Sequence, residues 1–130
     1  MANLLYPKGK ENLLLGNFDL SGANIKVALI DTGTYTYSAT HDAYDDLSGI
    51  VGTPVAIGST TVTDGVFDGA DITFTSVTGD SVEALVIYQD SGTPSTSYLL
   101  AYLDTVTSGL PVTPNGGDIT ITWGTNIFAL

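Results

Sequence analysis

The chain changes its hydrophobic period near residue 22. Before that point residues 6–18 read as a short helix: Pro7 suits a first helical position, Lys10, Glu11 and the run Leu13, Leu14, Leu15 follow, and Gly16 or Asn17 ends it. The adjacent leucines also permit an extended apolar run in the same place. After Gly22 the signal alternates. Residues 25–30 predict a strand closed by the turn-forming Asp31-Thr32-Gly33. Residues 34–50 are the least regular stretch and carry Tyr35, Tyr37, Tyr44, His41, Asp42, Asp45 and Asp46; they read as a long connection with one helical turn near 42–47.

From Thr53 onward, β-branched residues and turn punctuation recur about every eight to twelve residues, the spacing of a sandwich or barrel. The predicted strands are 53–57, 60–63, 70–77, 82–89, 97–103, 118–123 and 126–129. Ile72 and Phe74 alternate with Thr73 and Thr75, and Ile119, Ile121 and Trp123 with Thr120 and Thr122, so both strands read as half-buried. Residues 84–88 and 98–103 are apolar on both faces and should sit centrally. Asp64-Gly65, Thr78-Gly79-Asp80, Ser91-Gly92-Thr93-Pro94 and Pro114-Asn115-Gly116-Gly117 supply the turns. The pattern predicts a mainly all-β fold: an antiparallel β-sandwich or jelly-roll-like single domain with a short N-terminal helix. Residues 1–22 form an N-terminal segment of that domain and 23–130 the sandwich. Trp123 and the apolar ending Ile127, Phe128, Leu130 place the tryptophan between the sheets and make the last strand a packed one.

Composition narrows the function. The 130 residues are 43% hydrophobic, enough for one core, but only 13% charged, with 14 acids against three bases and a formal charge of −11. The bases are Lys8, Lys10 and Lys26, so every charge after Lys26 is a carboxylate and surface salt-bridge networks are excluded. Nucleic-acid binding draws its free energy from Lys and Arg, and acidic membranes attract the same residues, so neither partner is expected. No cysteine is present, which removes disulfides, thiolate nucleophiles and cysteine-held metals. The first residues lack the basic-then-apolar run of a signal peptide, and no apolar stretch approaches the roughly 18 to 20 residues that span a bilayer, so synthesis and first use in a cytoplasm are expected.

No catalytic set emerges. His41 is the one imidazole, no G-x-S-x-G turn occurs, and His41 beside Asp42 reads as a hydrogen-bonding pair within a loop, so no enzymatic activity is expected. Asp42, Asp45 and Asp46, and separately Asp64, Asp68 and Asp71, crowd carboxylates of the kind calcium takes. Neither group matches an EF-hand loop, and aspartate is favoured in turns for its own bonds to backbone N–H, so no dedicated metal site is expected. The glycine-bearing turns lack the following helix and base of a phosphate cradle, and no cofactor is implied. Tyr88, Tyr98, Tyr102 and Trp123 could make a sugar-stacking platform, but they lie on predicted core strands, which favours burial. Threonine fills many outward strand positions, either as a low-entropy face for close protein contacts or as the ordinary polar residue of an exposed strand.

Three stretches carry a resemblance. They are Leu5-Tyr6-Pro7-Lys8-Gly9-Lys10; Ile25-Lys26-Val27-Ala28-Leu29-Ile30-Asp31 leading to Tyr35-Thr36-Tyr37-Ser38-Ala39-Thr40-His41-Asp42; and Gly109-Leu110-Pro111-Val112-Thr113-Pro114-Asn115-Gly116-Gly117-Asp118-Ile119-Thr120. Together they resemble small structural proteins of tailed bacteriophages. The resemblance implies a virion component, first a capsid decoration (cement) protein bound to the major capsid protein or another virion protein and self-associating on the lattice. A tail or head-to-tail connector component is the alternative within that class, and a non-catalytic carbohydrate-binding β-sandwich module the alternative outside it. Copies at −11 each repel over roughly 8 Å at physiological salt, so close assembly would strengthen with ionic strength. The docking residues expected from the basic, apolar start of the chain are Leu4, Leu5, Tyr6, Pro7, Lys8 and Lys10, with the apolar members exposed.

Overall fold

A strand that is apolar at successive positions has two faces to cover, and this chain has three of them. The computed structural model describes residues 3–22 and 24–129. In chain order it holds β1 (Leu4–Leu5), α1 (Pro7–Leu14), β2 (Ile25–Ile30), β3 (Ile50–Ala56), β4 (Thr61–Thr63), β5 (Val66–Asp68), β6 (Ile72–Phe74), β7 (Ala84–Gln89), β8 (Leu99–Leu103), β9 (Ile119–Ile121) and β10 (Phe128–Ala129). Single 3-10 turns lie at Tyr44–Asp46 and Pro94–Thr96. The fold is all-β apart from α1 and these turns, and its strand pairings are antiparallel.

A five-stranded sheet in the order β1-β8-β7-β2-β3 is the base of the molecule. β7 is its central strand, as expected for the run that is apolar on both sides, with β2 and β8 flanking it. On one face Ile25, Val27, Leu29, Leu85, Ile87, Ala101 and Leu103 meet the smaller sheets β10-β5-β4 and β6-β9 across a core that includes Phe67, Ile72, Phe74, Ile121 and Trp123. On the other face Ala28, Ile30, Ala84, Val86, Tyr88, Leu99 and Tyr102 lie beneath Tyr6, Tyr35 and the half-buried Tyr37, Tyr44 and Leu47. The irregular stretch of residues 31–49 is therefore a covering layer. Backbone bonds pin its middle to the start of β8: Tyr44 N–H donates to the Ser97 carbonyl at 2.8 Å, and Leu99 N–H donates to the Asp42 carbonyl at 3.0 Å.

Two irregularities adjust the sheet. Ile87 faces Ala101 and Tyr88 faces Leu99, so Leu100 is an extra residue of β8 that turns its side chain to the sandwich core beside Ala101. Between β2 and β3 the register jumps from Val27↔Val55 to Leu29↔Val51, and Pro54 sits in that bulge on the outer strand, where its missing N–H costs no ladder bond.

Several strands are shorter than the pattern predicts, 70–77 contracting to Ile72–Phe74 and 118–123 to Ile119–Ile121, whereas the strand expected at 53–57 begins earlier, as Ile50–Ala56. Two strands escaped the pattern altogether. β5 is three residues long between Gly65 and Gly69, and pairs with β4 through a two-residue turn whose Asp64 and Gly65 are both at positive φ. β1 is two residues long and adds to β8, with Leu4 opposite Tyr102 and Leu5 opposite Ala101.

Trp123 lies in the sandwich core at 6% exposure, and its indole N–H donates to the Ala70 carbonyl at 2.9 Å. The chain continues into β10, which pairs with β5 and places the Phe128 ring 5.2 Å from Phe67. Truncating Trp123 to Ala removes that packing and the indole hydrogen bond, and is expected to cost about 3–5 kcal/mol, a large share of the stability of a domain this size. Denaturant unfolding of the variant checks this; an unchanged midpoint would contradict the core position.

Candidate functional site

The expected docking segment divides into a root and an outer face. Leu4 and Leu5 are half-buried in β1, and Tyr6 is fully buried. This corrects the exposure expected of them. The alternation of β1 sends Leu5 toward the sandwich core and Leu4 toward the tyrosine layer, while Tyr6 N–H donates to the Leu100 carbonyl at 3.0 Å. Asn3 extends the same edge, accepting the N–H groups of Asp104 and Thr105 and donating to the Thr105 carbonyl. Cutting away residues 2–10 would therefore open a sheet edge instead of releasing a dispensable arm. Pro7, Lys8 and Lys10 are exposed, as expected.

α1 lies against the bulge in β8. A Cβ on Gly9 would stand 2.7 Å from the Leu99 carbonyl oxygen and 2.9 Å from that of Leu100, so only glycine lets the helix come this close. Gly9 and Asn12 are buried and Leu13 half-buried, which leaves Pro7, Lys8, Lys10, Glu11 and Leu14 facing outward. The helix ends in a two-bond cap: Gly16 at φ 77 donates its N–H to the Leu13 carbonyl and Asn17 donates to that of Asn12. The apolar contact that usually backs such a cap is replaced by the Asn17 Nδ2 to Asn12 Oδ1 hydrogen bond at 2.8 Å. With that end fixed, Leu14 and Leu15 protrude into solvent at 90% and 67% exposure. They are the largest apolar exposure among the described residues, and their position in a leucine run gave no sign of it.

The second face of the sheet carries a cluster of tyrosines. The Tyr6 and Tyr35 hydroxyls are 2.8 Å apart, and Tyr35 continues to His41 Nδ1 at 2.7 Å. His41 thus bonds to Tyr35, not to Asp42 as expected, because the 3-10 turn gives the Asp42 region another partner. Tyr37 packs between Tyr6 and Tyr102, with ring centroids 5.0 and 5.6 Å away. Burial pushes the Tyr6 phenol far above the ordinary tyrosine range, and the bond to Tyr35 adds to the rise. Burial also raises Tyr35 and Tyr88, so this layer stays neutral.

Asp42, Asp45 and Asp46 can each bring a carboxylate oxygen within 4.8 Å of the others. The 3-10 turn accounts for their closeness: Asp46 Oδ2 accepts the N–H of Asp42 at 2.8 Å and that of Ala43 at 3.4 Å. Those backbone donors, Asp42's first, hold Asp46 below the usual carboxylate range, while desolvation and then the Asp46 carboxylate raise Asp42. Asp64, Asp68 and Asp71 make no such group among the described residues; Asp71 accepts the Trp123 N–H at 3.1 Å. The clearest ion pair joins Lys26 Nζ to Asp90 Oδ2 at 2.7 Å, and Lys26 with the Gly92 N–H holds Asp90 below its ordinary range. Lys8 pairs with Glu11 on α1 at 3.3 Å.

No helix among the described residues is long and apolar enough to cross a membrane. No protein-family model matches the chain, and no curated protein matches it in sequence.

Two outcomes follow. Tyr35→Phe leaves the enclosed Tyr6 hydroxyl without its partner and is expected to cost about 1–3 kcal/mol, whereas Tyr6→Phe leaves Tyr35 bonded to His41 and should cost about 0.5–1.5 kcal/mol. Urea unfolding of both variants measures the order, and the reverse order would contradict the chain. Asp90 has a depressed folded pKa, so its contribution is present above the unfolded carboxylate value of about 3.9 and is lost as pH falls through the lower folded value. Asp90→Asn should therefore lower the melting temperature at pH 7 and converge with the parent at about pH 2. A gap that stays constant with pH would contradict the pairing.

Proposed function

We propose that the chain is a structural component of a tailed-bacteriophage virion, a capsid decoration protein seated on the major capsid protein through the outer side of α1. The observation that carries this reading is the pair Leu14 and Leu15, held in water at the end of a well-anchored helix. Two adjacent large aliphatic side chains on a fixed backbone are suited to fill an apolar pocket on a partner, since little entropy remains to be lost on docking. Lys8 and Lys10, two of the three bases in the chain, stand on the same helix, so the attaching end is the least acidic part of the surface. Leu4, Leu5 and Tyr6 serve this end as its root in the sheet, and Pro7 as its first turn.

The resemblance of three long stretches to phage structural proteins supports the class. The strand surfaces support it too. Thr61, Thr63, Thr73, Thr75 and Thr120 are exposed, with the Thr73 and Thr120 hydroxyls 3.1 Å apart across β6 and β9. Threonine orders at little entropy cost, which suits these faces to close contact with neighbouring copies, and Asp68, Asp71 and Asp118 beside them make that contact sensitive to salt. The reading assigns the chain no catalysis, cofactor, metal or nucleic acid, and places it in the virion after assembly in the host cytoplasm.

The test is particle occupancy. Each leucine is worth roughly 2 kcal/mol on full burial, so replacing Leu14 and Leu15 by serine should weaken attachment about a hundredfold or more. Both side chains are exposed, so the melting temperature should stay near that of the parent. Cosedimentation with particles of the phage that encodes the chain, followed by electron microscopy, measures this. Undiminished occupancy by the double variant would overturn the docking face, and density on the tail would move the protein to the tail or connector.

A further inference from the structure

The covering layer of residues 31–49 stops short of one end of the sheet. There a cleft of about 230 Å3 opens between Tyr44 of the cover, Lys26 and Tyr88 of the sheet, Thr53 and Pro54 of β3, and the connection from β7 to β8. Its size is below the roughly 300–1,000 Å3 of sites for drug-sized ligands and suits a single ring. We infer that this cleft binds a neutral monosaccharide unit, free or at the end of a glycan, a function separate from lattice attachment.

The polar groups here are fixed before any ligand arrives. Asp90 Oδ2 accepts from Lys26 Nζ at 2.7 Å and Oδ1 accepts from Gly92 N–H at 2.8 Å, and the Ser97 hydroxyl also bears on the carboxylate, so it cannot rotate, while two oxygens with about four acceptor positions leave room for a ligand donor. The connection behind it is held by Ser91 and Ser97, whose hydroxyls each donate to the Thr93 carbonyl, and by the Ser91 N–H, which donates to the Ser97 hydroxyl. Lys26 and Asp90 side chains remain 33% and 31% exposed, so both still reach solvent. The Tyr44 and Tyr88 rings pack at 4.8 Å. Burial raises both phenols, which keeps their hydroxyls protonated as donors.

This set matches a polyol better than the alternatives. Vicinal hydroxyls can donate to a carboxylate and accept from an ammonium or a phenol without separating the ion pair, whereas a zwitterion would have to break it. The half-buried Tyr44 ring, with Pro54 and the exposed Pro94, offers apolar surface to the C–H side of a sugar ring. Net charge selects among sugars: at −11, and with the one cation of the cleft already paired, uronic and sialic acids are repelled. The tryptophan that sequence suggests as a platform is enclosed in the core, and Tyr88 is enclosed as well, so the aromatic surface of the cleft is that of the half-buried Tyr44.

A glycan array with the intact protein, followed by amide NMR titration with methyl glycosides of glucose, galactose, mannose and N-acetylglucosamine, tests the inference. The expected result is binding of at least one neutral sugar, with shifts confined to residues around 26, 44, 53 and 88–97. Tyr44→Phe keeps the ring packing and should weaken binding about fivefold through the lost hydroxyl. Asp90→Asn, confirmed as folded by circular dichroism, should weaken it more. Sialic and glucuronic acids should not bind. Absence of binding to any neutral sugar, shifts clustered elsewhere, or an affinity untouched by both variants would overturn it. Because the readout needs no phage particle, it stands or fails independently of the virion assignment.

Discussion

Everything in this molecule follows from a central sheet that is apolar on both faces. β2, β7 and β8 bury nearly every side chain, and β7 lies at the middle of five strands. A single second layer, as in an ordinary sandwich, would leave Ile30, Val86 and Leu99 in water, at roughly 1.5–3 kcal/mol for each large side chain. The chain supplies two covers of different kinds. One is the pair of small sheets. The other is an irregular loop that contributes tyrosines, whose rings bury area while their hydroxyls satisfy one another. With no disulfide and two ion pairs among the described residues, burial and backbone pairing carry the stability.

The two candidate surfaces are by-products of how that sheet is closed. The bulge at Leu100 and the missing side chain of Gly9 let α1 rest directly on β8, and the asparagine-backed cap stops the helix where Leu14 and Leu15 point outward. The cleft at Lys26 and Asp90 exists because the tyrosine cover ends before the sheet does. One surface is apolar and one polar, and they involve different residues, so attachment and ligand binding can coexist on a single copy.

The central strands were legible because continuous apolar runs and clear turns leave little choice of state; 25–30 appears at the predicted ends. β1 and β5 were not, since two or three residues cannot display a period, and each becomes a strand only when a neighbour offers an edge. Tyr6 shows the same limit. Sequence places it beside Pro7 and two lysines, which reads as surface, but β1 pairing turns it under the cover. The role of 31–49 was equally hidden, because a covering loop is defined by the sheet it lies on and not by its own pattern. Lys26 and Asp90 are 64 positions apart, and only β2–β7 pairing brings them together.

The claim that the tyrosine stretch is a structural layer, and not a mobile loop, is tested most directly by native-state hydrogen exchange at Tyr35, Tyr44 and Leu99. The Tyr44 and Leu99 N–H groups donate to Ser97 and Asp42 and report the closure of the cover on the sheet, while that of Tyr35 donates to Asp31 and reports the order within the cover. The account predicts that these amides open with a free energy close to that of global unfolding, in step with the amides of β7. Exchange of Tyr44 and Leu99 at rates of an exposed loop, while β7 stays protected, would contradict it.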